Sequence, residues 1–113
     1  MNYGGRIFRA VESSGGDVGA ETEFQYHQRG QLVWATYGGG AVLWGTLLAR
    51  MDEAGNLDMR YQHVGRDGAF KAGRCQSRPE VLSDGRLRLH EQWRWTEGAE
   101  GEGRSIVEEI PPP

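Results

Sequence analysis

Apolar and polar residues alternate with a period of two through much of the chain. Across 21–28, Thr22, Phe24 and Tyr26 alternate with Glu23, Gln25 and His27. Across 86–96, Leu87, Leu89, Trp93 and Trp95 alternate with Arg86, Arg88, His90, Gln92 and Arg94. A period of two gives a β-strand two unlike faces. The runs are punctuated by Arg29-Gly30, Gly38-Gly39-Gly40, Asp52-Glu53-Ala54-Gly55-Asn56, Asp67-Gly68 and Asp84-Gly85, all turn-forming. The pattern predicts strands at 6–13, 21–29, 31–37, 41–51, 57–64, 69–80, 86–96 and 104–110.

Glycine strengthens this reading: there are 18 in 113 residues, against a usual ~7%. The longest glycine-free stretch, 86–97, spans twelve residues. Glycine costs roughly 1 kcal/mol in a helix interior, so long helices have almost nowhere to form. Strands joined in order by short turns make an antiparallel meander, because parallel pairing needs long crossovers. An open meander of eight strands exposes two edges, and closure removes them. The expected fold is a single all-β domain over 1–113: a small calycin-like β-barrel, with 111–113 as an extended tail. A β-sandwich is the alternative.

Treating both Asp-Gly pairs as two-residue turns phases the central strands. Arg66 then pairs with Ala69, and Ser83 with Arg86. Opposed residues share a face. One face collects Met59, Tyr61, His63, Phe70, Ala72, Arg74, Gln76, Arg78, Glu80, Leu82, Leu87, Leu89, Glu91, Trp93 and Trp95. The other collects Asp58, Arg60, Gln62, Lys71, Cys75, Ser77, Arg86, Arg88, His90, Gln92 and Arg94. The first set holds the large apolar groups and is expected inside. A bulge at Pro79 would flip the register, moving Arg74 and Gln76 out and Cys75 and Ser77 in. Strand 41–51 is apolar on both faces and cannot be phased. Its outer face would then be covered, as by a second subunit in a homodimer.

The inner face so derived mixes aromatics with charge. Tyr61, His63, Arg74, Gln76, Arg78, Glu91, Trp93 and Trp95 are the candidate ligand-binding residues. An arginine there would grip a carboxylate, pointing to a small amphipathic or anionic ligand. An eight-stranded barrel is just wide enough for one. The competing reading has the charges at a wet rim and the tryptophans filling a core.

Other chemistry is thin. His27, His63 and His90 lack metal-site spacing, so neither metal nor cofactor is expected. Cys75 beside a histidine could form a nucleophile pair, but a lone cysteine behaves more often as a small hydrophobe. The stripe Arg86, Arg88, Arg94 could track phosphates, but its aromatics point the other way. The net charge of −3 also argues against a nucleic-acid partner. No run approaches the ~18 apolar residues of a membrane helix. A single cysteine and a polar start lead us to expect a reducing, cytoplasmic setting without a signal peptide.

Three stretches, at 57–63, 73–80 and 84–95, carry a likeness. They read Leu-Asp-Met-Arg-Tyr-Gln-His, Gly-Arg-Cys-Gln-Ser-Arg-Pro-Glu and Asp-Gly-Arg-Leu-Arg-Leu-His-Glu-Gln-Trp-Arg-Trp. The chain resembles a family of short bacterial proteins often labelled "N-acetylglutamate synthase", from Gly4-Gly5-Arg6 to Glu108-Glu109. That resemblance carries over no functional residue. The label implies acetyl transfer, which in the usual acetyltransferase fold needs a Gln/Arg-x-x-Gly-x-Gly/Ala loop opening a helix. The nearest match, Gln62-His63-Val64-Gly65-Arg66-Asp67, ends in a carboxylate and leads into a strand. The residues therefore speak against acetyl transfer. Three functions stay open: a ligand-binding barrel, a self-associating protein, and an enzyme using Glu91, His63 or Glu80 as acid or base.

Overall fold

The computed structural model describes residues 1–111, so Pro112 and Pro113 of the expected tail lie outside it. Eight strands follow in order: β1 Ile7–Ser13, β2 Glu23–Arg29, β3 Leu32–Gly39, β4 Val42–Met51, β5 Leu57–Gly65, β6 Phe70–Val81, β7 Leu87–Glu97 and β8 Glu102–Glu109. Each pairs antiparallel with its sequence neighbour, and β8 returns to β1 to close the barrel. The expected all-β barrel is the observed fold, and its strands lie within two residues of the predicted ones.

One end of the barrel is shut. Phe8, Tyr26, Val33, Leu57, Leu87, Leu89 and Val107 are almost completely buried there. The N-terminal segment lies across this end. Tyr3 is fully buried, donates its backbone N–H to Gln28 Oε1 at 2.7 Å and its hydroxyl to the Gly55 carbonyl. The other end carries the loops 14–22, 40–41, 66–69 and 98–101.

The register of β6 differs from the one counted from the turns. Met59 faces Cys75 and Tyr61 faces Gly73 across β5 and β6. Gly73 faces Trp95 and Ser77 faces Glu91 across β6 and β7. The cause lies in the two Asp-Gly turns. Gly68 N–H bonds Gly65 O at 2.9 Å while Gly65 N–H bonds Ala69 O at 2.9 Å. The connection therefore has three residues, with Gly68 at φ +84°. Asp84-Gly85 repeats this, with Gly85 N–H on Leu82 O and Leu82 N–H on Arg86 O. Such three-residue loops, a turn closed by a left-handed glycine, are the next hairpin class after two-residue ones.

Each miscount shifted β6 by one residue in the same direction, so the two agreed with each other. A one-residue slip exchanges the faces of a strand. Phe70, Arg74, Gln76, Arg78 and Glu80 are exposed outside, whereas Gly73, Cys75 and Ser77 are buried inside. Pro79 stays in register opposite Leu89, so it is not the cause. The inward assignments on β5 and β7 hold: Met59, His63, Leu87 and Leu89 are buried, and Tyr61, Glu91, Trp93 and Trp95 are partly so. Strand β4, apolar on both faces in sequence, is phased by its ladder with β5, which shifts between Val42 and Trp44. Leu43 and Trp44 both end outside, and Gly45, Leu47 and Ala49 face in.

Candidate functional site

A cavity opens between the barrel interior and the 14–22 loop. Its walls include Phe24, Tyr37, Tyr61, His63, Trp93 and Trp95, with Met59 and Cys75 deeper and Glu91 and Ser105 to one side. Its enclosed space is about 50 Å³, room for roughly three to five waters at 10–15 Å³ each. A larger guest would have to displace the loop.

The aromatic walls are arranged by glycines in the strands. Gly73 lies opposite Tyr61 and Gly103 opposite Trp93. A Cβ on Gly73 would overlap the Tyr61 phenol, one on Gly103 the Trp93 indole, and one on Gly45 the Tyr37 ring. A strand glycine that admits a close neighbour is a recognised device. Here each one lets a ring lie flat along the wall. Trp95 forms the hub, with ring centroids 5.6 Å from Tyr61, His63 and Trp93, within the favourable range for aromatic pairs.

At the rim a polar chain pins the loop to the barrel. His63 Nδ1 meets Tyr37 Oη at 3.0 Å and its Nε2 meets Asp17 Oδ2 at 2.9 Å. Lys71 Nζ, at the next strand, donates to both Asp17 oxygens at 3.2 and 2.9 Å. Burial pushes the Asp17 carboxyl up, but hydrogen bonds and charge from His63 and Lys71 outweigh it and hold it below 3.8. Thr22 Oγ1 donates to Gly39 O at 3.0 Å and fixes the loop's other end.

Lower on the wall runs a belt of small polar groups on adjacent strands. Ser77, Glu91, Ser105 and Ser13 face one another in turn across β6, β7, β8 and β1. Ser105 Oγ donates to Glu91 Oε1 at 3.1 Å. Ser77 Oγ is the buried side-chain polar atom without a hydrogen-bond partner among the described residues. Burial pushes the Glu91 carboxyl from 4.5 up to about 7. The Ser105 hydroxyl pulls it the other way, and the nearby Ser77 hydroxyl, which makes no bond of hydrogen-bond geometry, adds to that pull.

The eight candidate residues therefore divide. Tyr61, His63, Glu91, Trp93 and Trp95 line the cavity. Arg74, Gln76 and Arg78 stand on the outer surface and do not reach it. Asp17, Tyr37, Lys71, Ser77 and Ser105 were not among the candidates. The glycines opposite the rings were the available clue to the aromatic wall, because an interior glycine weakens a strand without a reason. Asp17 sits in a loop whose fold over the mouth leaves no periodic trace. Of the residues weighed as acids or bases, Glu80 lies outside, bonded to His90 at 2.8 Å. Cys75 is buried, and burial raises its thiol far above the usual value, which suits a hydrophobe rather than a nucleophile. No three His, Cys, Asp or Glu side chains among the described residues could hold a metal ion together.

A family model described as "Avidin-like protein" matches residues 1–110. The chain belongs to the avidin-like family. No curated protein and no solved structure matches it. Membership in this family of small β-barrels, which typically bind small ligands, agrees with the closed eight-strand barrel and gives its interior cavity a precedent. It does not bear on the "N-acetylglutamate synthase" label suggested by the 57–63, 73–80 and 84–95 stretches. The avidin-like barrel here keeps its aromatic rings and its polar belt on the inner wall and its unpaired arginines outside.

Proposed function

We propose that this avidin-like barrel is a non-enzymatic binding protein that takes one small ligand in the mouth cavity, beneath the 14–22 loop. The observation that carries this is the wall itself: Tyr61, Trp93 and Trp95 line one cavity together with His63, Glu91 and Ser105. A pocket of aromatic walls with a few converging polar groups is the usual form of a small-molecule site. Arg74 and Arg78 lie outside, so they give the cavity no anionic preference. The raised Glu91 carboxyl would also suit a general acid or base, but burial alone produces the shift, so binding is the simpler reading. Buried, unpaired Cys75 supports a reducing cytoplasmic setting as part of the same proposal.

Fragment screening by two-dimensional NMR tests it. Binders should shift the indole N–H signals of Trp93 and Trp95 and leave that of Trp44, on the outer face, in place. A screen in which no fragment moves these two signals selectively would overturn the proposal.

One surface favours self-association as a second property. Trp34 faces Leu48 across β3 and β4, Trp44 faces Val64, and Val64 faces Phe70. Leu43, Trp44, Leu48 and Phe70 are each more than half exposed. Contiguous apolar surface of this kind marks an interaction site. A second copy, meeting the same sheet face about a two-fold axis, is the occupant we infer. Sedimentation of the wild type against Trp44→Ser decides it: a dimer that the substitution dissociates is expected, and a monomeric wild type would overturn the reading.

A further inference from the structure

Among the described residues the mouth cavity is lined by the carboxyl groups of Asp17 and Glu91 and by no lysine or arginine. Glu91 contributes a carboxylate to the cavity, and its Oε2 accepts no hydrogen bond from the described residues. Of the basic groups at the rim, His63 is bonded through both ring nitrogens and Lys71 is held by Asp17. Ser77 and Ser105, which face Glu91 from the neighbouring strands, are neutral, and Arg78, His90 and Arg104, which line a second hollow with it, make no ion pair to it among the described residues. The ionisable groups that feel its charge are Tyr3, Tyr26, Tyr37, Tyr61 and Cys75, and burial holds every one of them protonated and neutral. A carboxylate drawn partly out of water without a counter-charge is costly, and half-buried Glu91 sits here beside electron-rich rings. Trp95 already accepts a cation on one side, with Lys71 Nζ 5.5 Å from the ring centroid.

Resting on the cavity reading above, we propose that the ligand is a small organic cation of the guanidinium or amidinium type, paired with Glu91 and stacked among Tyr61, Trp93 and Trp95. A planar cation with several N–H donors can bond both oxygens of one carboxylate, since each has lone pairs to spare beyond the Ser105 bond. Aromatic faces stabilise such a cation most where water is excluded. The enclosed space of about 50 Å³ sets the scale at a headgroup of a few heavy atoms. This charge preference is the reverse of the one that inward arginines would have given.

Three probes of similar shape separate the outcomes: methylguanidinium, neutral N-methylurea and acetate. Each is titrated while the Trp93 and Trp95 indole signals are followed, with Trp44 as the internal control. Methylguanidinium should give saturable shifts, with affinity rising about tenfold from pH 6 to pH 8 as Glu91 ionises. The probe itself keeps its charge throughout. Glu91→Gln should abolish both the binding and its pH dependence. If that variant fails to fold, the wild-type comparison of probes and pH values still decides. Binding of methylurea or acetate as tight as that of methylguanidinium would overturn the cation assignment and leave the cavity reading intact. Silence from all three probes would also overturn the assignment, and the fragment screen then judges the cavity by itself.

Discussion

Single residues set the chemistry of this barrel, and Glu91 most of all. Its carboxyl keeps a proton to about pH 7 in the folded chain, against an ordinary 4.5. Between those values the unfolded chain binds fewer protons than the folded one, so folding stability falls as pH rises from about 4.5 to about 7 and then levels off. The full cost of ionised Glu91 is about 3 kcal/mol at 1.36 kcal/mol per pH unit. Glu91→Gln should therefore raise the thermal midpoint at pH 8 by several degrees and by much less at pH 5. An equal gain at both values would mean that Glu91 is not a buried, strained carboxyl. The glycines are read the same way. Gly103→Ala places a Cβ against the Trp93 indole and the Ser14 carbonyl, and should cost about 1–3 kcal/mol by overpacking. Calorimetry showing no loss would indicate that the ring moves freely and is no fixed wall.

At the scale of elements, the loop 14–22 and the β6 register decide what the cavity is. The loop is held through Asp17, whose carboxylate His63 and Lys71 keep below its ordinary 3.8. A lowered carboxyl contributes stability above that value and loses it as pH falls through the folded-state value. Acidification below about pH 4 should thus free the loop before the barrel melts. Asp17→Asn should have a similar effect at neutral pH. Hydrogen exchange at the Gly19 and Thr22 amides, which are bonded within the loop, should quicken in both cases, and unchanged exchange would deny the latch. Strand β6 shows how far local chemistry reaches. Asp67-Gly68 and Asp84-Gly85 marked both hairpins correctly, yet each turn closes three residues rather than two. Their Asp-Gly pairs suit both lengths, and nothing in Arg74-Cys75-Gln76-Ser77-Arg78 disfavours either face strongly enough to choose.

For the whole molecule, closure is the organising fact. Joining β8 to β1 removes both sheet edges and gives every strand an inside. The Tyr3 segment plugs one end, so the other becomes the entrance. What the sequence determined by itself was the count and order of the strands, the antiparallel meander and the inward faces of β5 and β7. Those follow from period-two alternation and from glycine, which act over a few residues. The tertiary structure decided the rest. It placed Arg74, Gln76 and Arg78 outside and Cys75 and Ser77 inside, and it carried Asp17 across to His63, 46 positions away. Register depends on one residue of turn length, and a loop's docking on a surface that many strands build together. Neither leaves a periodic mark in the chain, so the aromatic wall and Glu91 were legible, and the outward placement of Arg74 and Arg78 was not.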